Sequence, residues 1–562
     1  VAAAVPWLTQ LHADRRLVTR LAPDSGGRST ALSSAAPRLA DSKYGDELDT
    51  ALGKLPRERV ERDPGLALAM GRRALVRDQP NEGLKWLVRA QTAVSKEPPA
   101  LIARIAFQLG GAYVTRSELA PADAVLAWAE GLLGRHASSS PDLEHLRALI
   151  ADVRGQRDDA MTLYRRAIER GATSLTPMSR VLALRNLAEA ISHSEPQESV
   201  ALYGLALATI DADELDETMR SALDNTMGYA LLCAGDIDGG QRKLRQALAD
   251  ARRIGRRRIE LYAQFNLAIV AELGGELVGA AAELAAVSQA ATHAGLDDLA
   301  RWSEIRSAWL DARSGDRESA LARIRRAFPA AVPVAYRDTV ATLRSLLDLD
   351  GPRAAGARAE LAKLAGAYRS RGDELTAFAV TLWVARADAK AGRVSAARRN
   401  IATACEIGSR RGFRVATNWW ASEIVEVARR QAPAEFAEYV EGLIAPPGIG
   451  TSTVAPDVLL TRDGAIHVDG APFDEAGWRS GRTGSRVLQR YFRALVAAYP
   501  AALGRDELAD LLWPDSEGDK AVRNLYASTN DLRRVLASVP GVSLAVVDQR
   551  YRLDVAPQVR MS

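Results

Sequence analysis

Cysteine is nearly missing from this chain: 562 residues hold two, Cys233 and Cys405. A disulfide-built scaffold and a Cys-based metal site are both excluded. Histidine is almost as scarce, with six. His145, His193 and His293 have no His, Cys or carboxylate at metal-ligand spacing, so they read as solvated or helix-end residues. No apolar run reaches the roughly 18 residues of a membrane span. The amino end also lacks the apolar core of a secretion signal. The expected location is the cytoplasm. No G-x-x-x-x-G-K-[ST] phosphate loop occurs; the nearest text, Gly26, Gly27, Arg28, Ser29 and Thr30, lacks the lysine that would reach the phosphates. With no nucleophile–base pair, metal set or phosphate loop to point to, neither an enzyme nor a cofactor is expected. Charge of one sign is missing too. Lys and Arg total 74 against 70 Asp and Glu, a net of +4, so the pI near 9.0 says little by itself about a nucleic-acid partner.

What the chain does have is small residues and a period. Hydrophobic residues make up 47% and charged residues 26%, a folded composition too long for one core. Ala and Gly together supply about a quarter of the chain, and small side chains let helix axes approach closely. From about residue 60 to 430, helical stretches end in short Gly/Asp/Ser turns and a second helix follows; 228–252 is the clearest case. Turn anchors fall at Asp78, Ser117, Gly155, Glu195, Gly235, Gly274, Gly315 and Gly392, with a weaker one near Gly351, or about 39 residues per step. Five residues after the anchors stand Gly83, Ala122, Ala160, Val200, Gly240, Gly279, Ala320 and Ala397. Twelve after stand Ala90, Ala129, Ala167, Leu207, Ala247, Ala286, Ala327 and Ala404. Small residues seven apart on the second helix form the face on which a hairpin's two helices cross.

Gly228, Gly235, Gly240, Leu244 and Ala247 fall where the tetratricopeptide repeat keeps its consensus residues, and the pattern resembles that family. The long period is similar to the superhelix of maltose-regulon-activator-type bacterial regulators. The resemblance implies a mostly α fold: a tetratricopeptide-like α-solenoid of about nine helical hairpins over 41–444, with a concave binding surface. First-helix residues facing that surface include Asn225, Tyr229, Tyr262, Phe265, Trp302, Trp309 and Arg386. Packing between repeats is the competing explanation for the aromatics. Trp419 and Trp420 read as the capping core of the last hairpin. Residues 1–40 fall outside the repeat. Their text suggests an amphipathic helix (7–14), a strand (16–20) and a turn, either an amino-terminal cap or the remnant of a winged helix that precedes the repeats in the maltose-activator class.

Residues 445–456, rich in Pro, Gly, Ser and Thr, read as a linker to a domain over 457–562. There the period changes. Residues 458–473 alternate apolar and polar around Asp463-Gly464 and Asp469-Gly470, a small antiparallel sheet. Helices follow at 485–498, 505–513 and 518–537, then a hairpin with strands near 543–547 and 550–554. In the third helix Val522, Leu525, Thr529, Leu532 and Leu536 form one apolar stripe at about 100° per residue. Opposite it lie Lys520, Arg523, Ala527, Asn530 and Arg534, flanked by Asn524, Tyr526 and Asp531.

Leu508, Leu511, Leu512, Trp513, Pro514 and Asp515, then Asn524, Leu525, Leu532, Arg533 and Arg534, then Tyr551 and Leu553, resemble the OmpR-type winged helix, most closely that of the SARP-type regulators. Those regulators carry this domain before their repeats; here the order is reversed, and 478–486 also departs from their usual text. The resemblance implies a C-terminal α+β winged-helix domain that binds double-stranded promoter DNA. The candidate DNA-binding residues are Arg505, Lys520, Arg523, Asn524, Tyr526, Ser528, Asn530, Arg533, Arg534, Gln549 and Arg550. It also implies that the acidic loop 513–519 touches RNA polymerase. Residues 457–562 hold 14 Lys/Arg and 14 Asp/Glu, so phosphate attraction must come from local placement, and dimeric binding to half-sites would offset weak monomer affinity. The expected function is a sequence-specific DNA-binding transcription regulator whose repeats sense a small-molecule, peptide or protein effector. Two alternatives stay open: a protein-interaction scaffold, and the carboxy-terminal part of an ATP-dependent switch whose phosphate loop would lie upstream of Val1.

Overall fold

The computed structural model describes residues 4–19, 29–172, 175–212, 216–447, 458–461, 464–468, 471–472, 478, 485–514, 516, 518–536, 539, 542–555 and 559–561. The chain divides into two compact units, Val1–Ile449 and Gly450–Ser562.

The first unit is a tetratricopeptide-like solenoid. Among the described residues, nine antiparallel hairpins follow one another. They pair Pro64–Val76 with Pro80–Ala93, Pro99–Thr115 with Leu119–Leu133, Pro141–Val153 with Arg157–Arg170, and Pro177–Ile191 with Pro196–Ala212. The fifth pairs Glu217–Cys233 with Ile237–Arg253, and the sixth Arg257–Leu273 with Leu277–His293. The last three pair Asp297–Arg313 with Arg317–Ala327, Val334–Asp348 with Ala354–Ser370, and Glu374–Lys390 with Val394–Arg411.

Local chemistry sets these boundaries. Proline opens six of the helices, where its missing N–H costs nothing. Asp63, Ser140, Thr176, Asp216, Asp236, Asp316 and Asp373 accept a hydrogen bond from a first-turn amide of the helix that each caps. Glycines with positive φ end the helices: Gly235, Gly255, Gly275, Gly295 and Gly315 fall 20 residues apart, as do Gly372, Gly392 and Gly412. A 17-residue helix and a three-residue turn therefore make half a repeat, and the central period is 40.

In the fifth hairpin the crossing is set by glycine. A Cβ on Gly228 would sit 2.7 Å from Leu244 Cγ, and one on Gly240 would sit 2.6 Å from Leu232 Cδ2. Each glycine receives the other helix's leucine, so the axes approach closely. Two anchors are misplaced by one residue. At Gly274-Gly275 the second glycine takes the positive φ, and the buried small residue is Ala280, while Gly279 and Ala286 are exposed. Near Glu195 the turn has no left-handed residue, and Ser199 and Ala206 are the buried pair.

The amino end also departs from expectation. Residues 16–19 continue the helix Ala4–Thr19 and form no strand, and a second helix, Ser29–Ala40, packs on the first hairpin. Leu11 and Val18, two turns apart, are both buried. Asp14 and Arg15 pair with Arg38 and Glu47. Tertiary contact thus selects helix over the local β tendency of Leu17-Val18-Thr19. Residue 20, the expected turn after it and Gly26, Gly27 and Arg28 lie outside the described residues. At the other end Trp420 is fully buried beneath the last hairpin, donating to Ile444 O at 2.7 Å. Of the expected linker, residues 448–456 lie outside the described residues.

The second unit is α+β. Strands β1 (Val458–Leu460), β2 (Ile466–Val468) and β3 (Ala471–Pro472) form an antiparallel meander, and β7 (Arg560–Met561) adds parallel to β1. A second sheet orders β4 (Leu503–Gly504), β6 (Arg550–Val555) and β5 (Val542–Val547). Helices Ser485–Ala498, Arg505–Leu512 and Gly518–Leu536 pack with the sheets around Leu488, Tyr491, Phe492, Leu525, Leu532 and Tyr551. Asp548 and Gln549, both at positive φ, turn the β5–β6 hairpin. The second turn of the meander, Asp469-Gly470, lies outside the described residues.

Candidate effector cavity and nucleic-acid interface

The 40-residue register stacks equivalent side chains. Arg185, Asn225, Phe265 and Ile305 occupy one position in four successive first helices, and Glu189, Tyr229, Ile269 and Trp309 occupy the position one turn later. Ala222, Tyr262 and Trp302 form a third row. All of them line one cavity of about 570 Å³ on the concave side. Six of the seven residues expected on that surface meet there: Asn225, Tyr229, Tyr262, Phe265, Trp302 and Trp309. Arg386 does not; it lies over the Trp383 ring and pairs with Asp350 at 3.0 Å.

Sequence reading missed the far wall. Tyr203, Tyr368, His193, Asp373, Asn418 and Trp419 complete the cavity, and several arrive from repeats far along the chain. Trp419 is thus a cavity residue as well as a buried one. Long-range contacts close the superhelical turn. His193 Nδ1 lies 2.9 Å from Asp373 Oδ1 and Nε2 lies 2.8 Å from Tyr229 OH. Tyr229 OH in turn meets Thr417 Oγ1 at 3.0 Å, and Leu375 N donates to His193 O at 2.9 Å. Burial works against a charge on His193, but Tyr229 and Asp373 together hold the imidazolium well above the ordinary histidine range. Asp373 is desolvated as well, yet the His193 charge and its bonds to His193 and Thr376 keep its carboxyl below the usual value. A second hollow of about 400 Å³ shares Arg185, Glu189, Ser192, His193 and Asp373.

Much of the cavity's polar capacity is already used. Asn266 Nδ2 donates to Asn225 Oδ1 at 3.1 Å. Arg306 donates to Glu272 at 2.7 Å and to Asn418 at 3.0 Å, and Trp309 Nε1 donates to Glu272 at 2.8 Å. Arg258 lies over the Tyr262 ring, 5.8 Å from its centroid, with no carboxylate partner among the described residues.

Two of the expected solvated histidines are buried or engaged instead. His145 stacks on Phe107 at 4.4 Å and accepts from Asn186 Nδ2 at 2.9 Å. Burial pulls its pKa down to about 3, so it is neutral. His193 is the clasp just described, and His293 sits exposed at a helix end. Among the described residues no group of three His, Cys, Asp or Glu side chains is placed to hold a metal ion. None of their helices is long and apolar enough to cross a membrane.

In the second unit the helix Gly518–Leu536 buries Ala521, Leu525, Ser528, Thr529, Asp531, Leu532, Val535 and Leu536. Ser528 and Asp531 are therefore part of the packed face; a small hydroxyl and a short carboxylate fall inside a stripe wider than the hydrophobic pattern suggests. Lys520, Arg523, Tyr526, Ala527, Asn530 and Arg533 are exposed and Asn524 is half-buried. Arg533 Nε also donates to Leu544 O at 3.3 Å, tying the helix to β5. The Arg534 side chain lies outside the described residues. Arg505 pairs with Asp506 at 2.7 Å and lies beside Tyr526. Gln549 and Arg550 are exposed at the hairpin tip. Of the loop 513–519, Asp515 and Glu517 lie outside the described residues.

No family model matches this chain, and no curated protein matches it in sequence. Solved structures do share its architecture. A Rap protein complexed with competence and sporulation factor superposes with a TM-score of 0.52 at 13% identity, covering 62% of this chain and 98% of its own. The apo form of the quorum sensor NprR from B. thuringiensis gives 0.44 at 12% identity, covering 62% of this chain and 99% of its own. The Rap conjugation gene regulator of plasmid pLS20, in complex with the Phr* peptide, gives 0.43 at 13% identity over 62% and 96%. At such identities the likeness is one of fold, a helical-repeat superhelix.

Proposed function

We propose that this chain is a non-enzymatic transcription regulator. Its helical-repeat unit binds an effector in the concave cavity, and its second unit binds promoter DNA as an OmpR/SARP-type winged helix. The observation that carries the DNA half is the exposed face of Gly518–Leu536. Lys520, Arg523 and Asn530 flank the small Ala527 there, giving donors for base edges and phosphates and room for close approach to a groove. The hairpin tip, with Gln549 and Arg550, is the wing. The cavity supports the sensing half, as does the Rap protein of the same fold that was solved with a bound factor. On this reading the site of action is the cytoplasm, residues 513–519 contact RNA polymerase, and two chains bind paired half-sites.

The zero net charge of residues 457–562 favours a second reading, a protein-interaction scaffold. Genomic-fragment enrichment at near-physiological salt separates the two. The full chain should enrich a few promoters that Arg523→Ala/Arg534→Ala loses. Enrichment of the same fragments by both proteins, or of none, contradicts DNA reading through this face.

A further inference from the structure

The cavity's chemistry narrows its ligand, an inference that rests on the sensing half of the proposal above. Eight of the chain's 31 Phe, Trp and Tyr residues line this one space. In a protein so poor in aromatics, such convergence concentrates flat, polarisable surface where ring stacking contributes beyond area burial. Trp302 is 37% exposed despite its size, packed on one side against Tyr336 with centroids 5.3 Å apart. Its remaining surface is unspent.

The polar groups point the same way by being occupied. An extended peptide needs a run of free donors and acceptors along its backbone. Here His193, Tyr229 and Asp373 are used by the clasp, Arg306 by Glu272 and Asn418, and Asn266 by Asn225. Arg185 and Arg258 both line the cavity with no carboxylate ion pair among the described residues, but Arg185 donates to Asn186 Oδ1 at 3.0 Å, whereas Arg258 stands over the Tyr262 ring. A space of about 570 Å³ suits a drug-sized molecule.

We infer that the cavity takes a low-molecular-weight planar aromatic acid, its rings lying among Tyr262, Phe265 and Trp302 and its anionic group on Arg258. A guanidinium beside a ring recognises both parts of such a molecule, the anion by charge-assisted hydrogen bonds and the ring system by stacking.

The test uses the full chain and two dyes sharing one ring system: anionic 1-anilinonaphthalene-8-sulfonate and neutral N-phenyl-1-naphthylamine. The wild type should bind one anionic dye per chain. Arg258→Gln should weaken it about tenfold while changing the neutral dye less than twofold, and Arg258→Lys should restore most of the loss. Trp302→Ala, checked by circular dichroism for retained helix, should weaken both dyes at least fivefold. Excess triglycine should displace neither. Equal effects of Arg258→Gln on the two dyes, no effect of Trp302→Ala, or displacement by triglycine would each overturn the assignment, the last in favour of a peptide ligand. Fragment enrichment is read on the same proteins. Enrichment without dye selectivity rejects the aromatic acid alone, whereas dye selectivity without enrichment rejects the DNA reading alone.

Discussion

Replacing His193 with alanine should loosen the closure of the solenoid without unfolding its repeats. The substitution removes the bonds to Asp373 at 2.9 Å and to Tyr229 at 2.8 Å. A hydrogen bond to a charged group contributes about 1.5–3 kcal/mol, and a neutral one about 1. Asp373 keeps its cap on Thr376 N, and Tyr229 keeps Thr417, so neither is left fully orphaned. The net loss is therefore about 2–3 kcal/mol, or roughly a 30- to 150-fold increase in local opening. Leu375 N reports it directly. A second-residue helix amide has no acceptor within its own helix, and this one donates to His193 O. Hydrogen exchange should show Leu375 losing protection by that factor, with amides of Pro64–Val76 unchanged. The pH dependence has a defined sign. His193 titrates higher in the folded chain, so its contribution is full below about pH 6.5 and fades as pH rises through the raised value. Asp373 titrates lower, so its contribution holds above about pH 4 and fades as pH falls through the depressed value. The difference between wild type and His193→Ala should thus be largest from about pH 4 to 6.5. Equal Leu375 exchange in both proteins, or a difference that grows as pH rises above about 6.5, would refute the clasp.

Two further substitutions probe the packing. Gly240→Ala places a Cβ 2.6 Å from Leu232 Cδ2 and 2.9 Å from Gly228 O, so it should destabilise by about 1–3 kcal/mol in thermal unfolding. Gly279→Ala, in an exposed helical position with nothing within 4 Å, should stabilise by about 0.5–1 kcal/mol. Glu272→Ala strands the buried Arg306 guanidinium, with Arg313 buried nearby, and should cost about 3–5 kcal/mol by chemical denaturation. Glu272→Gln, which can still accept from Trp309, should cost less.

Periodicity made the hairpins legible in the sequence, because Gly235 and Gly315 end helices for a reason that local text carries. Gly274-Gly275 shows the limit: both glycines permit a left-handed turn, and only packing of Ala280 against the preceding helix chooses between them. The strand expected at 16–20 failed for a related reason, since Leu11, Val18 and the Asp14–Arg38 pair draw the segment into a helix through contacts more than twenty residues away. Tyr229, Tyr262 and Trp302 were legible as a surface because they sit at matching repeat positions. His193, Asp373 and Trp419 were not, because the superhelix brings them together across 180 or more residues. In the second unit a pattern of apolar residues located the helix but hid the burial of Ser528 and Asp531, whose polarity suggested the opposite face.

The most direct test of the account is the affinity of the full chain for an enriched promoter fragment and for a shuffled fragment of the same composition, compared with Arg523→Ala over a range of salt. Wild type should discriminate by at least about 1,000-fold. Arg523→Ala should lose about 1–3 kcal/mol on the promoter fragment and little on the shuffled one if Arg523 reads a base. Equal affinity of the wild type for both fragments would contradict sequence-specific reading by this helix.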